Sequence, residues 1–393
     1  MSYARTIEYK KNDDEWTSIT STTGGTKFNV VSGNTVQFRG DNLAYAALDG
    51  LNLSWANTFY GTTCQFNVKG NIMSLIDSDG FETLDTLTCA ETFAALFMTC
   101  ESLISAENLI LPATTLTESC YNYMFYGCTN LTTSPELPAT TLADYCYMNM
   151  FFQCQSLTTA PELPATTLAD GCYIYMFTMC TSLTTAPELP ATTLANHCYF
   201  SMFSECTNLT AAPELPATAL TSNCYNGMFN GCASLTTAPA LPATTLADYC
   251  YSSMFQGCTS LTTAPALPAT ILAESCYNQM FSGCASLTTA PELPATTLAQ
   301  FCYQEMFRVC TSLTTAPELP ATTLAVRCYS SMFEGCTSLN YIKAMFTTTP
   351  GGTYTTNWVD GVSSTGTFVK NSTAQWDVTG VDGIPTGWTV ETA

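Results

Sequence analysis

Residues 146–171 read CYMNMFFQCQSLTTAPELPATTLADG, and this 26-residue unit repeats through most of the chain. A fixed period of this length is typical of a solenoid, in which each unit buries its apolar side only by stacking on its neighbours. The repeat takes precedence over a domain count based on the length of 393 residues. Units 1 to 8 have their first cysteine at Cys120, Cys146, Cys172, Cys198, Cys224, Cys250, Cys276 and Cys302, and unit 9 begins at Cys328 and stops halfway.

The first part of each unit has the pattern of an amphipathic helix. On a helical wheel the repeated residues of unit 2 fall in one half and the changing residues in the other. Thr141 and Asp144 have the spacing of a capping box, which predicts a helix that begins at Leu142. The repeated residues that define the apolar half are Leu142, Ala143, Cys146, Tyr147, Met150, Phe151 and Cys154.

The second part of each unit predicts a short strand. The β-branched pair Thr158-Thr159 follows Leu157, and Pro161 and Pro164 then end the strand and turn the chain back. Strands in a ladder lie about 4.8 Å apart, whereas packed helices need about 8–10 Å. The sequence therefore predicts a curved α/β solenoid of strand-plus-helix units, with strands inside the bend and helices outside.

The flanking segments differ from the repeat and define three regions. Residues 1–80 contain the predicted strands Thr26–Val31, Thr35–Arg39 and Cys64–Val68, which favour a small antiparallel β-sandwich that docks or caps. Residues 81–346 form the predicted solenoid. Residues 347–393 are predicted to cap its last unit through Trp358, Trp376 and Trp388.

The motif Leu-x-x-x-x-x-Leu-Pro, followed by x-Phe-x-x-Cys-x-x-Leu, resembles the BspA-type leucine-rich repeats. The resemblance covers about Phe81 to Phe346, and it departs from the family where Cys-Tyr-x-x-Met-Phe replaces Ala-Phe and an Ile-Gly pair is missing. It implies adhesion to, or recognition of, host or matrix components by surface proteins of gut and oral bacteria or by proteins of their phages.

Composition excludes several classes of partner. The chain has 10 Lys+Arg against 31 Asp+Glu, a net charge of −21, which disfavours nucleic acid and anionic membranes. No apolar run reaches the roughly 20 residues of a membrane span. The segment after Met1 lacks the apolar core of a secretory signal, which suggests a removed signal or another route out of the cell.

The cysteines and the single histidine give little sign of chemistry. Eighteen of the 21 cysteines are the two repeated positions, where the predicted geometry makes them free, buried thiols too far apart for disulfides. His197 lies at a changing, exposed position, so the sequence predicts no catalytic residue and no enzyme.

One acidic position recurs from unit to unit. Carboxylates are hard oxygen ligands for Ca²⁺, so weak calcium binding is one hypothesis, and a solvated acidic edge is the alternative. The row contains Glu136, Glu162, Glu188, Glu214, Glu292 and Glu318, with Ala240 and Ala266 interrupting it.

The changing half of the predicted helix is the candidate binding face. The threonines of Leu-Thr-Thr and Ala-Thr-Thr hardly change although they too must be exposed, so drift alone does not explain the difference. Aromatic residues on an exposed face favour contact with a partner. The predicted binding residues are Tyr145, Met148, Asn149, Phe152, Tyr175, Thr178, His197, Phe200, Asn226, Gln304 and Arg308.

These observations predict a non-enzymatic, extracellular or virion-borne recognition protein that binds a protein or glycan on a cell surface. A receptor-binding component of a phage virion is the first hypothesis, with either a homo-oligomer or attachment to a larger assembly through residues 1–80. A bacterial surface adhesin is the alternative, and a structural spacer or capsid decoration is a third. Ice binding by threonine rows is disfavoured because adjacent strand residues should point to opposite faces.

Overall fold

The computed structural model describes residues 6–20, 26–42, 59 and 64–393. The strands are β1 (Thr6–Lys11), β2 (Thr17–Thr20), β3 (Val36–Arg39), β4 (Phe66–Asn71), β5 (Leu103–Ile110), β6 (Tyr341–Ala344), β7 (Thr367–Lys370) and β8 (Thr389–Thr392), and two 3-10 helices span Ile72–Leu75 and Phe81–Thr83. Strands β1, β2 and β3 form an antiparallel sheet in the order β2-β1-β3. Strand β4 pairs in parallel with β5, and β6, β7 and β8 form a second parallel sheet.

The predicted amphipathic helix is wrong: the described residues contain no α-helix. In its place each unit forms five overlapping four-residue turns. We call this segment the turn ladder and count with each unit the three residues before its first cysteine, so that the turn ladder of unit 2 is residues 143–154. Alternate backbone N–H groups bond within the turn, as from Met150 to the Tyr147 carbonyl at 3.1 Å. The others bond to the next unit, as from Phe151 to the Met176 carbonyl at 2.9 Å. Half of the backbone donors of this segment thus join neighbouring units.

Every fourth residue of the turn ladder has left-handed backbone geometry. In unit 2 these residues are Tyr145, Asn149 and Gln153, with φ of 56°, 56° and 60°. A left-handed L-residue costs about 1–2 kcal/mol, which glycine avoids. Glycine accordingly recurs at these positions, as Gly127, Gly171, Gly227, Gly231, Gly257, Gly283 and Gly335.

The predicted capping box is also replaced by a contact between units. Asp144 does not cap its own segment; its Oδ1 accepts the backbone N–H of Asp170 at 3.0 Å. Asp170 in turn accepts from Asn196 at 2.9 Å, and Asp248 accepts from Glu274 at 3.1 Å. The carboxylate at this position therefore supports stacking rather than the start of a helix.

The core consists of side-chain columns that run along the solenoid. Tyrosine rings from Tyr121 to Tyr329 stack at centroid distances of 5.7–6.0 Å, and phenylalanine rings from Phe97 to Phe333 stack at 5.4–5.9 Å. Methionine, cysteine and leucine columns fill the space beside them. The predicted curvature assumed helix spacings of about 8–10 Å, so these distances remove the reason for it.

The threonine segments form ladders of single parallel bridges rather than long strands. Bridges join Thr263 to Thr289 in the Leu-Thr-Thr segment and Thr167 to Thr193 in the Ala-Thr-Thr segment. The second of these ladders was not predicted from the sequence. Between them, Pro161, Leu163 and Ala165 point inward, and Glu162, Pro164 and Thr166 are exposed. Each unit is therefore a turn ladder, a threonine bridge and an extended proline segment.

The stacking continues on both sides of the nine units. At the C-terminal side the Phe333 N–H bonds to the Trp358 carbonyl at 2.9 Å, and β6 pairs with β7. The Trp358 ring is fully buried at 6.2 Å from the Phe333 ring, and Trp376 stacks on Phe346 at 5.2 Å. At the N-terminal side β4 pairs in parallel with β5, so hydrogen bonds cross the predicted boundary at residue 80.

Residues 1–80 agree only in part with the predicted β-sandwich. Strand β3 lies within the predicted Thr35–Arg39, and β4 overlaps the predicted Cys64–Val68. The predicted strand Thr26–Val31 is wrong, because these residues form no ladder; β1 and β2 were missed. The described residues hold one antiparallel sheet in this region, so a sandwich is not shown. In the described part of the chain, no helix has the length and apolar character needed to cross a membrane.

Candidate functional site

The outward side chains of the turn ladder form a single continuous face, which we call the turn face. Residues 26 apart lie next to each other, so each outward position makes a column along the solenoid. The columns are visible in side-chain contacts between neighbouring units. Arg308 Nη2 lies 3.0 Å from Glu334 Oε1, and Asn230 Nδ2 donates to Gln256 Oε1 at 2.9 Å.

The structure brings most of the predicted binding residues to this face. Tyr145 is 40% exposed and His197 is exposed. The partly buried ones are Met148, Phe152, Tyr175, Phe200, Asn226, Gln304 and Arg308.

Two of the predicted binding residues are buried, and their placement at the surface was wrong. Thr178 is 5% exposed, and its hydroxyl donates to the Ser201 carbonyl at 2.6 Å. Asn149 is also 5% exposed and lies in the column between Tyr123 and Tyr175. A helix would have pointed both side chains to solvent, whereas the turn ladder lets larger neighbours cover them.

An aromatic strip crosses units 1 to 4 of the turn face. Tyr126 stacks on Phe152 at 4.8 Å with the ring planes 3° apart. The Phe152 and Tyr175 centroids are 6.4 Å apart, and those of Tyr175 and Phe200 are 5.3 Å apart, both edge to face. The aromatic strip comprises Tyr123, Tyr126, Phe152, Tyr175 and Phe200, all partly buried.

Phe152, Tyr175 and Phe200 lie in successively earlier columns, so this part of the strip runs diagonally. Tyr123 lies in the column of Tyr175, and Tyr126 lies in that of Phe152. Burial raises the pKa of the Tyr123 and Tyr175 hydroxyls. Neighbouring Tyr126 and Tyr175 contribute further to the shift of Tyr123. These phenols therefore stay neutral donors near pH 7. The strip therefore presents a continuous apolar surface to a partner, together with the tyrosine hydroxyls as hydrogen-bond donors.

Units 5 to 9 present a mostly polar turn face on the same columns. Besides the Asn230–Gln256 and Arg308–Glu334 pairs, Gln279 Nε2 donates to Glu305 Oε2 at 2.9 Å. The changing residues are thus matched to their neighbours in the next unit. Contacts between neighbouring units therefore explain part of the variation in both halves of the face, because the strip rings also contact one another. What distinguishes units 1 to 4 is that the contacting residues are aromatic.

Sequence reasoning missed Tyr123 and Tyr126 in unit 1. Both occupy changing positions, three residues apart, and both are aromatic as Phe152 and Tyr175 are. Comparison of unit 1 with unit 2 at the same columns would have found them. The predicted set was built from units 2 to 5 and unit 8 and therefore began one unit too late.

The threonines have a structural reason to stay constant. The Thr236 hydroxyl donates to the Thr210 carbonyl at 3.2 Å, and the Thr132 hydroxyl donates to the Ile104 carbonyl at 2.9 Å. Their constancy therefore requires no partner. Thr158 and Thr159 are both exposed, so the expectation that adjacent threonines point to opposite faces is wrong. Hydroxyls that donate to carbonyls in this way are less free for an ordered water layer.

The acidic row lies on the extended proline segment, away from the turn face. All six of its glutamates are exposed, and Glu318 forms an ion pair with Lys343 at 3.0 Å. Among the described residues there is no group of three or more His, Cys, Asp and Glu side chains suited to a metal ion. Calcium binding by this row stays a prediction.

None of the twenty-one cysteines, all of which lie among the described residues, forms a disulfide, and all but Cys64 and Cys89 are buried. The eighteen thiols at the repeated positions are buried, as predicted. The predicted reason against disulfides was wrong, because the units are closer together than packed helices. The second thiol of each unit donates to a phenylalanine carbonyl of the preceding unit, as from Cys180 to Phe151 at 3.1 Å. Burial raises the pKa of Cys120 to about 12 and of Cys224 to about 11, so these thiols are poor nucleophiles at pH 7.

Comparison with protein families decides the classification. The model of the BspA type leucine rich repeat region matches six copies, at residues 94–235, 175–314 and 226–355. The chain belongs to the BspA-type leucine-rich repeat family. A leucine rich cell surface protein from Faecalibacterium prausnitzii A2-165 is 16% identical, covers 81% of this chain and 92% of its own, and has a TM-score of 0.32. No curated protein sequence matches.

Membership of the BspA-type family confirms the resemblance and the solenoid nature of the repeat. The strand-plus-helix unit predicted from the residue pattern is not formed, and the turn ladder takes the place of the helix. In this BspA-type protein the residues that differ between units concentrate on the turn face, and the aromatic ones concentrate on units 1 to 4. That half of the face is the candidate functional site.

Proposed function

We propose that this BspA-type protein is a bacterial surface adhesin that recognises its partner through the aromatic strip. The observation that carries the proposal is the continuous line of five partly exposed aromatic side chains on one half of the turn face. The other half carries mostly polar side chains, with single apolar ones such as Tyr249 and Val309. Aromatic residues are enriched in interfaces because they bring large contact area at low entropy cost. The other half of the turn face, in units 5 to 9, provides matched positions for control substitutions.

Family membership favours an adhesin over the phage virion component. BspA-type repeats are associated with surface recognition, and no feature of the described residues is specific to a virion. A non-enzymatic role is supported by the raised pKa of the buried thiols, which makes them poor nucleophiles. Attachment through residues 1–80 stays a prediction.

The test uses one array of extracellular proteins and cell-surface glycans, probed with the intact chain. In the strip variant, Tyr126, Phe152, Tyr175 and Phe200 are replaced by serine. In the matched variant, Asn230, Gln256, Asn278 and Gln279, which occupy the same columns in units 5 to 7, are replaced by serine. We expect the strip variant to lose at least tenfold in affinity for the array targets, because partly exposed rings supply the apolar contact.

The matched variant should bind with unchanged affinity, and both variants should keep the circular dichroism spectrum of the parent chain. Equal binding by the strip variant and the parent would contradict the proposal and would move recognition to the threonine side or to residues 1–80. An array with no target at all would favour a structural spacer.

A further inference from the structure

The charged side chains around the aromatic strip are all negative. No lysine or arginine lies between Lys69 and Arg308, so units 1 to 7 carry carboxylates without any fixed cation. Glu118, Asp144 and Asp170 form a column along the edge of the turn face in units 1 to 3, and Glu205 is exposed beyond the opposite edge in unit 4. The described ion pairs all lie outside these units. The strip is thus an apolar line bordered by unpaired negative charge.

The carboxylates on this edge are held in place. Asp144 and Asp170 each use one oxygen to accept a backbone N–H of the next unit, at 3.0 and 2.9 Å. A carboxylate that accepts at one oxygen keeps acceptor sites at the other. A partner cation would therefore meet oriented oxygens and would lose little side-chain entropy on the side of this protein.

Elsewhere on the turn face, arginine side chains of this chain already contact an aromatic ring and a carboxylate. In units 8 and 9 the Arg327 guanidinium lies 5.9 Å from the centroid of the Phe301 ring, and Arg308 pairs with Glu334. Phe301 occupies the same column as Tyr145. The neighbour of Tyr145 in the next unit is Gly171, which has no side chain to cover the ring, and Tyr145 is 40% exposed.

We infer that the aromatic half of the turn face binds an arginine-bearing segment of a cationic protein, laid along units 1 to 4. This inference rests on the proposed function and names the class of partner. Guanidinium groups would cover Tyr145 and the strip as Arg327 covers Phe301, and would pair with Asp144 and Asp170. Arginine suits both contacts because its planar cation stacks on rings and bonds carboxylates at two points.

The test is a pair of synthetic peptides of one sequence that alternates arginine with small residues. In the second peptide every arginine is replaced by citrulline, which keeps the shape and removes the charge. Binding to the full chain is measured by isothermal calorimetry at low and at high salt. We expect the arginine peptide to bind at least tenfold more tightly than the citrulline peptide, and higher salt to weaken it.

Three variants place the binding on the molecule. The double variant Asp144→Asn with Asp170→Asn keeps an oxygen acceptor for each backbone N–H, and we expect its affinity for the arginine peptide to fall at least fivefold. The affinity of the strip variant for this peptide should fall at least tenfold. The matched variant in units 5 to 7 should leave the affinity for the arginine peptide unchanged. Equal binding of the two peptides, no binding of either, or an equal loss in the matched variant would overturn the inference.

Failure of the inference and failure of the proposed function give different results. If the array targets bind through the strip but are neutral or acidic, the proposed function holds and the cationic partner is wrong. If the arginine peptide binds without dependence on the strip, general attraction by the net negative charge explains it, and the inference fails.

Discussion

Raising the pH from 7 to about 10.5 should unfold the solenoid completely and steeply. The cause is the burial of thiol and phenol groups in every unit. Burial raises the pKa of the cysteines from Cys120 to Cys336 above the ordinary value of 9.0. It also raises the pKa of the stacked tyrosines from Tyr121 to Tyr329 above 10.0.

A thiol with a raised pKa in the folded state keeps its proton there while the unfolded chain loses it. The stability that this group contributes is complete below pH 9.0 and is lost as the pH rises toward the folded pKa. Each such group lowers the free energy of unfolding by about 1.4 kcal/mol per pH unit in this window. Four groups remove about 5 kcal/mol over one pH unit, which is the lower end of the stability of a folded domain. The solenoid contains far more than four.

Far-UV circular dichroism and tryptophan fluorescence from pH 7 to 11 measure this transition, with a reductant present to prevent disulfide formation. Return to pH 7 should restore the spectrum. About 0.5 M NaCl screens exposed carboxylates but not buried groups, so it should leave the onset near pH 9. A chain that stays folded at pH 11, or an onset that moves upward with salt, would contradict the account.

Replacing Phe203 by alanine should cost about 3–5 kcal/mol, because the site is buried and the stack is continuous. The Phe203 side chain is 0% exposed, and its ring lies 5.6 Å from Phe177 and 5.8 Å from Phe229. The stability of a solenoid is approximately the sum of the stabilities of its units and of the interfaces between them. Loss of a ring in a central unit therefore weakens the interfaces with both neighbouring units. Urea unfolding followed by circular dichroism measures the loss.

Thr192→Ala is the control, because Thr192 is exposed and lies in the Ala-Thr-Thr segment, which also stacks from unit to unit. Its free energy of unfolding should change by less than about 0.5 kcal/mol. If Phe203→Ala cost no more than Thr192→Ala, the ring column would not be a stabilising core.

The sequence predicts the stacking and the buried residues of this protein correctly but not the backbone that carries them. Cys146, Tyr147, Met150, Phe151 and Cys154 satisfy both a helical period of 3.6 and a period of four. Over nine residues the two periods hardly separate. The residues that point into the core were therefore predicted correctly. The backbone hydrogen bonds between units were not predicted, because no local sequence pattern indicates them.

One sequence signal distinguishes the two backbones. Glycine recurs at the second residue of each outward pair, as at Gly227 and Gly257, where a helix would disfavour it. The same change of backbone explains the errors at the candidate site. Asn149 and Thr178 are outward on a helical wheel and covered in the turn ladder, whereas Tyr145, Phe152, Tyr175 and Phe200 remain accessible in both.

The sign of one substitution tests the turn ladder most directly. Gly227 lies in the middle of its turn ladder with φ of 62°, and an added Cβ would meet only the rotatable Ser201 hydroxyl. The turn ladder predicts that Gly227→Ala destabilises the chain by about 1 kcal/mol or more, since alanine disfavours left-handed geometry. It predicts the opposite sign for Ser253→Gly, where φ is 54°. Urea denaturation measures both. A helix would gain about 1 kcal/mol from Gly227→Ala and lose stability with Ser253→Gly, and that result would contradict the account.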